Sequence, residues 1–496
     1  MLLPSITLLV NASLAEGCFP KEFKEAVVSP IIKKSTLSCS DLKNYRPVSG
    51  LCFLSKLVER VASAQLINHI NSNGLDNPLQ SAYKAGHSTE TALLSIKNDI
   101  HLSLSRGEST ALVLLDLSAA FDTIDHSTLI DCLKSWFGVC GSALEWFVSY
   151  LCDRYQAVKI GSTLSDFHKL IFGVPQGSVL GPLLFSLYTT PLTKIISKYK
   201  DVKYHFYADD TQLFVKISPK NATSALAQLN ACLNDVRDWM STSKLKLNPE
   251  KTEFIVFGSH SQRRNLEAFF PVNILGNFLK PSDAVRNLGV IFDADFSFSA
   301  QVRNICKGCF LQLRDFRRIR RFLTEECAIL VANALVSSRL DYCNSLFRSL
   351  STFNMKKLQC IQNTLARIVT NRTKFTSITP ILKDLHWLPV KYRSIFKTAT
   401  LVYKYLHTGN PSYFGSSIKL RDSKYNTRHG HPNSMLLVVP QFVPSVYKSS
   451  KQYGLSFSFD APQIWNDLPA EVRLASSLPS FRKKLKSYLF AKAFPP

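Results

Sequence analysis

Apolar residues recur along this chain at two spacings, and segments of the two kinds alternate between residues 26 and about 260. Short β-rich runs such as Ala26–Ile32 and Ala111–Leu117 predict strands. Apolar positions three and four residues apart, as in residues 54–62, predict helices, and Glu59 is expected on the outer face of that helix. The alternation predicts an α+β fold arranged around one sheet.

Three later stretches have patterns of their own. A long apolar helix is predicted from residue 179 through Leu192, and a short strand is predicted over Asn287–Phe292. Residues 299–370 have the apolar spacing of helices. Residues 375–496 are basic, have a mixed pattern and contain no recognisable catalytic constellation.

Residues 204–217 predict two short strands joined by a tight turn that carries Asp209 and Asp210. Asp tolerates unusual turn dihedrals and can bond its own backbone, so an Asp pair suits a hairpin tip. Taken alone, the pair is therefore interpreted as a turn with solvated carboxylates.

A second acidic position changes that interpretation. The run Ala111–Leu117 predicts a strand buried on both faces, and Asp116 is its single carboxylate. A carboxylate in such a place is costly unless it is paired or bound to a cation. If the two strands are neighbours, Asp116, Asp209 and Asp210 can converge on a pair of divalent ions, as phosphoryl transfer by two metals requires.

Two loops could approach a ligand. Phe172–Ser178 places two glycines around Pro175-Gln176 before a helix, which permits close approach of a ligand to free N–H groups. Lys84 precedes Gly86, Ser88 and Thr89 at another predicted helix start. These residues either cradle a phosphate or simply cap the helix.

The charge balance favours a polyanionic partner. The chain has 496 residues, with 60 Lys and Arg against 36 Asp and Glu, a net charge of +24. Nucleic acid and an acidic membrane surface both fit that charge. No apolar run approaches the roughly 18 residues that span a bilayer and no basic amphipathic helix of membrane type stands out, so no membrane partner is expected. The absence of a secretory signal predicts an intracellular protein, in the nucleus or the cytoplasm.

One predicted helix carries a basic stripe. Its cationic side chains fall within about a third of a turn of one another at 100° per residue. They are Arg303, Lys307, Arg314, Arg318 and Arg321. Because only Asp315 intervenes before Glu325, the stripe indicates contact with a nucleic-acid backbone.

Several blocks, taken in order, resemble the motifs of reverse transcriptases. Motifs A, B, C and D are matched by Leu115–Asp122, Gly173–Ser178, Tyr207–Asp210 and Leu247–Thr252. Finger, primer-grip and C-terminal blocks of LINE-type, non-LTR retrotransposon polymerases of the jockey superfamily are matched by Tyr45–Ser49, Gly86–Thr89, Asn287–Val290, Ser338–Cys343 and Leu385–Pro389. The resemblance covers nearly the whole chain.

This resemblance implies an RNA-directed DNA polymerase that extends a primer 3′-hydroxyl on an RNA template, with deoxynucleoside triphosphates as substrates. It implies that Asp116, Asp209 and Asp210 bind two Mg²⁺ ions, for which Mn²⁺ could substitute. Lys251 would protonate the leaving pyrophosphate, and Phe121 would be the steric gate against a ribose 2′-hydroxyl.

The remaining implied site residues bind the nucleotide. Gln176 and Gly177 would line the nucleotide pocket, and Arg46 and Lys84 would steer the incoming triphosphate. Many relatives carry Arg where Lys84 stands, and a lysine loses the bidentate geometry.

The implied architecture is that of a right-hand polymerase with an antiparallel sheet. Fingers and palm are predicted over residues 1–285 with a motif core of about 26–260, a helical basic thumb over 286–375, and a mixed C-terminal region that binds nucleic acid over 376–496. Such elements normally carry an upstream endonuclease, which is absent from this sequence, so the chain is expected to be the polymerase half of an element with an RNA template and a DNA primer or target as partners. An inactive RNA-binding remnant is the alternative.

Overall fold

The computed structural model of the chain describes residues 2–118, 120–248, 251–421 and 435–495. Its helices are α1 Leu2–Ala15, α2 Phe53–Ser72, α3 Thr89–Ser105, α4 His126–Phe137, α5 Gly141–Leu151, α6 Gly181–Tyr188, α7 Leu192–Ile196, α8 Ala222–Thr242, α9 His260–Arg264, α10 Ser299–Ile319, α11 Glu325–Ala332, α12 Ser338–Asp341, α13 Thr352–Val369, α14 Ile378–Asp384, α15 Val390–Thr408, α16 Ser450–Gly454, α17 Phe457–Asn466, α18 Ala470–Arg473 and α19 Leu478–Ala493.

Strands are concentrated in the first three fifths of the chain. They are β1 Glu25–Ile32, β2 Tyr45–Gly50, β3 Ser109–Leu115, β4 Leu117–Ser118, β5 Arg154–Ile160, β6 Thr163–Leu164, β7 His168–Leu170, β8 Val202–Tyr207, β9 Asp210–Ile217, β10 Lys246–Leu247, β11 Glu253–Phe257, β12 Val272–Ile274, β13 Asn277–Leu279, β14 Ala284–Asn287 and β15 Val290–Asp293. The predicted α+β fold with antiparallel strand pairs is confirmed, but the prediction of one sheet is wrong, because the described strands form several separate sheets.

The chain forms two compact units. The first comprises residues 1–83, 115–211 and 228–252, and the second comprises residues 84–114, 212–227 and 253–496. The predicted partition at residues 285 and 375 follows sequence motifs, so it stays a prediction.

A mixed sheet and a helical layer make up much of the first unit. The strand order is β2-β1-β5-β6 with β7 also on β5; β1 runs antiparallel to β2 and parallel to β5. Beneath the helices, Phe19, Trp146 and Tyr150 pack as a buried aromatic cluster, with the Trp146 and Tyr150 rings stacked at 5.6 Å. These large rings fix the helices against one another by burying apolar area.

A second sheet has the order β11-β3-β9-β8, so the strand before Asp116 is the neighbour of the strand that begins at Asp210. Strand β3 is almost entirely buried, as its unbroken apolar run predicts, and β11 pairs with it antiparallel. The strand neighbours that the metal hypothesis requires are therefore present.

Helices dominate the second unit. Their core buries Phe298, Leu365, Tyr403, Trp465 and Phe481. The predicted helical character of residues 299–370 is confirmed by α10 to α13. Among the described residues, none of the helices combines the length and the hydrophobicity that crossing a bilayer requires.

The predicted long helix from residue 179 to Leu192 is wrong. It is two short helices, α6 and α7, separated at Thr189-Thr190-Pro191. Both threonine hydroxyls donate to backbone carbonyls of the preceding turn, and Pro191 has no N–H to continue the helical ladder.

The single strand predicted over Asn287–Phe292 is also wrong, because the segment is a hairpin. Strands β14 and β15 pair through Asn287 and Val290, and the loop residues Leu288 and Gly289 have φ of +44° and +83°. Positive φ at both loop positions matches the twist of tightly connected antiparallel strands.

Candidate active site

Asp116 lies at the break between two strands. Strand β3 ends at Leu115, and β4 then pairs antiparallel with β10. The backbone carbonyl of Asp116 accepts a hydrogen bond from the Asn248 N–H at 3.0 Å. The half-buried Asp116 side chain is thus held on a backbone that is fixed from both sides.

Asp209 and Asp210 lie at the tip of the β8–β9 hairpin, as predicted. The loop has two residues, Ala208 and Asp209, and Ala208 adopts a φ of +55°. A residue with a Cβ pays about 1 kcal/mol or more for that conformation. Such a strained turn needs support from its surroundings.

Gln80 supplies that support. Its side-chain Oε1 accepts hydrogen bonds from the backbone N–H groups of Ala208 and Ala82, each at 3.0 Å, and only 2% of Gln80 is exposed. The backbone beside it joins β8, since the Phe206 N–H donates to the Leu79 carbonyl at 2.9 Å. Sequence reasoning missed Gln80, because one amide in a loop leaves no periodic signal.

The three aspartates interact electrostatically. Burial raises the pKa of Asp209, and the charge of Asp116 raises it further, whereas Arg46 and Lys251 lower it. Burial, Asp209 and Asp116 raise the pKa of Asp210 to about 6. The structure therefore brings Asp116, Asp209 and Asp210 to one locus where their negative charges repel.

That repulsion gives a prediction for stability in the absence of divalent ions. The pKa of Asp210 is raised from 3.8 to about 6 in the folded state, so folding favours its protonated form, and the penalty grows as pH rises from 3.8 to about 6 and stays constant above that. Asp210→Asn should therefore stabilise the protein at pH 7 by about 1 kcal/mol after solvent screening is allowed for, and the gain should shrink towards pH 4. Chemical denaturation in EDTA at both pH values measures this, and a gain independent of pH would contradict it.

Lys251 lies beside the three aspartates. Its Nζ is 2.9 Å from Asp116 Oδ2, and the two side chains are 63% and 31% exposed. An ion pair this exposed stabilises the fold little, so the main effect of the contact is to position the Lys251 side chain beside Asp116. Among the residues that the structure describes, no three His, Cys, Asp or Glu side chains lie close enough to enclose one ion.

The loop with Gln176 and Gly177 packs closely against two other segments. Gly177 has a φ of +117°, and a Cβ there would lie 2.9 Å from the Ser49 carbonyl oxygen. The Ser49 N–H donates to the Gln176 carbonyl at 2.7 Å, and the Val174 N–H donates to the Phe121 carbonyl at 2.9 Å. Glycine is therefore required at 177 on grounds of backbone conformation and of space.

Glu59 fixes the helix that follows this loop, and its predicted position on the outer face of α2 is wrong. The residue is fully buried, and Oε2 accepts hydrogen bonds from the N–H groups of Val179 at 2.7 Å and Leu180 at 3.1 Å. Ser55 Oγ donates to Oε1 at 3.0 Å. A buried carboxylate is tolerated here because N–H and hydroxyl donors satisfy it. The pattern of charged residues on α2 could not indicate this.

Phe121 and Gln176 belong to the two segments that the hydrogen bond from the Val174 N–H to the Phe121 carbonyl joins. The half-buried Phe121 ring packs against Phe185 with centroids 5.0 Å apart. Gln176 Nε2 donates to both carboxylate oxygens of Asp122 at 2.9 Å. Although the Asp122 side chain is exposed, surrounding atoms raise its pKa by desolvation, and the Gln176 hydrogen bonds oppose that rise. Asp122 was not predicted as a site residue.

Lys84 belongs to the second unit, whereas the aspartates, Lys251, Phe121, Gln176, Gly177 and Arg46 belong to the first. Ser88 caps α3, accepting from the Thr91 N–H while Thr91 Oγ1 accepts from the Ser88 N–H. Of the two interpretations of this loop, helix capping is thus confirmed for Ser88. A phosphate-steering role for Lys84 stays a prediction.

The basic stripe lies mainly on α10. Arg303, Lys307, Arg314 and Arg318 are exposed on that helix, and the exposed Arg321 follows in a 3₁₀ helix. The opposite face of α10 is buried in the core of the second unit. Its contact with nucleic acid stays a prediction.

Comparisons with known proteins show the family of this chain. Residues 31–292 match the family model described as "Reverse transcriptase (RNA-dependent DNA polymerase)". The "Probable RNA-directed DNA polymerase from transposon BS" of Drosophila melanogaster is 26% identical over 388 residues, which are 77% of this chain and 42% of the relative. The "RNA-directed DNA polymerase from mobile element jockey" of the same organism is 25% identical over 391 residues, 77% of this chain and 41% of the relative.

The chain spans about two fifths of the length of these curated relatives. Among solved structures, apo telomerase from Candida tropicalis is similar over 83% of this chain and 73% of that chain, with 11% identity and a TM-score of 0.43. The predicted resemblance to LINE-type polymerases is confirmed by the family match and these relatives.

Proposed function

Because the chain belongs to the reverse transcriptase family of RNA-dependent DNA polymerases, we propose that it extends the 3′-hydroxyl of a DNA primer along an RNA template. The observation that carries the proposal is the convergence of Asp116, Asp209 and Asp210 from two neighbouring strands, where burial and mutual repulsion raise the pKa values of the latter two. Clustered carboxylates with perturbed pKa values are typical of catalytic sites.

The donor set fits hard divalent cations. Mg²⁺ prefers carboxylate oxygens and keeps several waters, so it is usually held by one or two carboxylates together with substrate phosphates. Asp116, Asp209 and Asp210 would hold two Mg²⁺, or Mn²⁺, and such ions activate the attacking hydroxyl and neutralise the leaving phosphates.

The other side chains in the first unit have proposed roles of their own. Lys251, held 2.9 Å from Asp116, would give a proton to the departing pyrophosphate. Arg46 lowers the pKa of Asp209 and would attract the triphosphate through the same positive charge. Gln176 and Gly177 would line the nucleotide pocket, with Asp122 orienting the Gln176 amide. Phe121 would exclude a 2′-hydroxyl.

The partners are proposed from charge and chemistry. The surplus of 60 basic over 36 acidic residues suits an RNA template and a DNA primer, and the α10 stripe would follow their backbone. The described part of residues 376–496 is largely helical and is proposed to bind nucleic acid too. We also propose a nuclear or cytoplasmic location.

Primer extension tests the function. The purified chain is incubated with a DNA primer annealed to an RNA template, deoxynucleotides and Mg²⁺, and the elongated primer is separated by size. Elongation that EDTA abolishes is the expected result. A folded, RNA-bound protein that adds no nucleotide would instead be an inactive RNA-binding remnant, which defeats the proposal.

Gln80 provides a prediction about positioning. Gln80→Leu leaves the Ala208 N–H without its acceptor and frees the hairpin, so kcat should fall about tenfold while KM for the deoxynucleotide stays unchanged. Gln80→Glu keeps an acceptor and should restore much of the rate, with its added charge moving the pH profile upward. Steady-state incorporation over a range of pH measures both. Equal losses in the two variants would contradict the proposed hydrogen bond.

A further inference from the structure

Two phenylalanines of the second unit are unusually exposed. Phe322 is 74% exposed and Phe375 is 85% exposed, although each carries a large apolar ring. A cation stands over each ring: the Arg321 guanidinium carbon is 4.7 Å from the Phe322 centroid, and Lys374 Nζ is 4.9 Å from the Phe375 centroid. We call the surface of these four residues the aromatic tip.

The segments that carry Phe322 and Phe375 are both hydrogen-bonded to the last turns of α13. Arg320, two residues before Phe322, donates from Nε and Nη2 to the Val369 carbonyl at 2.8 and 2.6 Å. Arg367 donates from Nε and Nη2 to the carbonyl of Thr376, the residue after Phe375, at 3.1 and 3.0 Å. Since adjacent Cα atoms are about 3.8 Å apart, both rings lie near the same helix end.

The loop that carries Phe375 is structurally defined. Asn371, just after the C-cap residue of α13, has a φ of +53°, and the Arg372 N–H donates back to the Arg367 carbonyl at 2.8 Å. This is the hydrogen-bond pattern of a left-handed helix C-cap. The exposed ring is therefore presented by an ordered backbone, which lowers the entropic cost of binding a ligand.

The charge around the aromatic tip is positive. Residues 315–326 and 370–376 contain Arg317, Arg318, Arg320, Arg321, Arg372 and Lys374 against Asp315, Glu325 and Glu326. Asp315 lies 3.3 Å from Arg314 and 3.9 Å from Arg318, and the two glutamates occupy the first turn of α11, where the helix dipole favours them. The arginines remain in excess beside the two rings.

We propose that the aromatic tip binds unpaired nucleotides of a single strand. One base would stack on each ring, and the surrounding cations would contact the phosphates, which is how proteins grip single strands without reading sequence. Paired bases are already stacked within a duplex, so the rings discriminate in favour of single strands. The inference rests on the proposed function, and it adds a site for unpaired nucleotides that adjoins the basic stripe and shares Arg321 with it.

The test compares binding of labelled oligouridylate by fluorescence anisotropy. The double variant F322A/F375A should bind about tenfold more weakly than wild type, since stacking on aromatic side chains supplies much of such affinity. Both rings are exposed, so the variant should fold, which circular dichroism checks. F278A is the matched control because Phe278 is 72% exposed in the same unit, and it should bind as wild type does.

An abasic strand of equal length separates stacking from charge. Wild type and F322A/F375A should bind it equally, whereas K374Q should weaken both strands. Oligodeoxythymidylate in place of oligouridylate tells whether the strand is DNA or RNA, and either result supports the site. Unchanged binding of oligouridylate by F322A/F375A overturns the inference. An equal loss of affinity for oligouridylate and for the abasic strand in that variant also overturns it. So does a wild-type dimer that the substitutions dissociate. Failure of primer extension with these binding differences intact would defeat only the proposed polymerase function.

Discussion

Asp209→Asn is expected to lower nucleotide incorporation by about a thousandfold or more. The substitution keeps the size of the side chain but removes one of the negative charges that would hold the two metal ions. These charges would also offset the repulsion between the two ions. The charge of Asp116 contributes to the raised pKa of Asp209, so the two carboxylates act at one locus. Single-turnover incorporation with saturating deoxynucleotide measures the loss.

Two controls make this result specific. Asp201→Asn removes an exposed carboxylate just before β8, and it should leave the rate unchanged. Binding of the RNA–DNA primer–template by the Asp209 variant should also remain, since the basic α10 surface is untouched. An Asp209→Asn protein that incorporates nucleotide at the wild-type rate would show that the site has been assigned wrongly.

Phe121→Val is expected to reduce discrimination against ribonucleotides by about a hundredfold, which corresponds to about 2.7 kcal/mol. The Phe121 ring rests on Phe185 at 5.0 Å, so it cannot readily move aside for a 2′-hydroxyl. Valine removes the distal ring atoms and opens that volume. Incorporation of matched deoxy- and ribonucleotides, compared as kcat/KM, measures the change.

Phe121→Tyr is the matched control, because it keeps the ring and should keep the discrimination. The deoxynucleotide rate should fall only modestly in the valine variant, since the catalytic carboxylates are unaffected. If valine leaves the ratio of ribonucleotide to deoxynucleotide incorporation at the wild-type value, Phe121 is not the gate.

The strands of the candidate site could be predicted because burial imposes a pattern on them. Ala111–Leu115 is apolar throughout, and the structure buries it as β3 with Asp116 directly after it. Alternation around residues 204–217 likewise located the β8–β9 hairpin. The carboxylates could then be assigned because they interrupt these patterns, and the family resemblance gave them an expected role.

The supporting residues could not be predicted in the same way. Glu59 has the helical position of a surface residue, yet it is fully buried because the N–H groups of Val179 and Leu180 meet its carboxylate. Gln80 sits in a loop, where its partner Ala208 is distant in sequence. Hydrogen bonds of this kind depend on tertiary geometry, and periodicity carries no information about them.

The interruptions of one predicted helix and one predicted strand were missed for a related reason. Apolar spacing continues through residues 179–192, but Pro191 and the two preceding threonines end one helix and begin another. At Leu288-Gly289 a hairpin turn interrupts what apolar content alone predicts as one strand. In both places local backbone chemistry outweighs the hydrophobic pattern.

The candidate site combines strain with repulsion. Ala208 holds a left-handed φ, and Asp209 and Asp210 keep raised pKa values beside Asp116. Each feature lowers the stability of the fold, and the Gln80 hydrogen bond to the Ala208 N–H offsets part of that cost. A protein with no use for clustered carboxylates would gain stability by losing them, so their presence supports a catalytic role.

The most direct test of the central claim is the sequence of the product. A DNA primer is annealed to an RNA of mixed sequence, the purified chain is given all four deoxynucleotides with Mg²⁺, and the extended strand is sequenced. We expect DNA complementary to the RNA, made by the wild-type chain and not by Asp116→Asn. No extension, or added nucleotides unrelated to the RNA sequence, would contradict it.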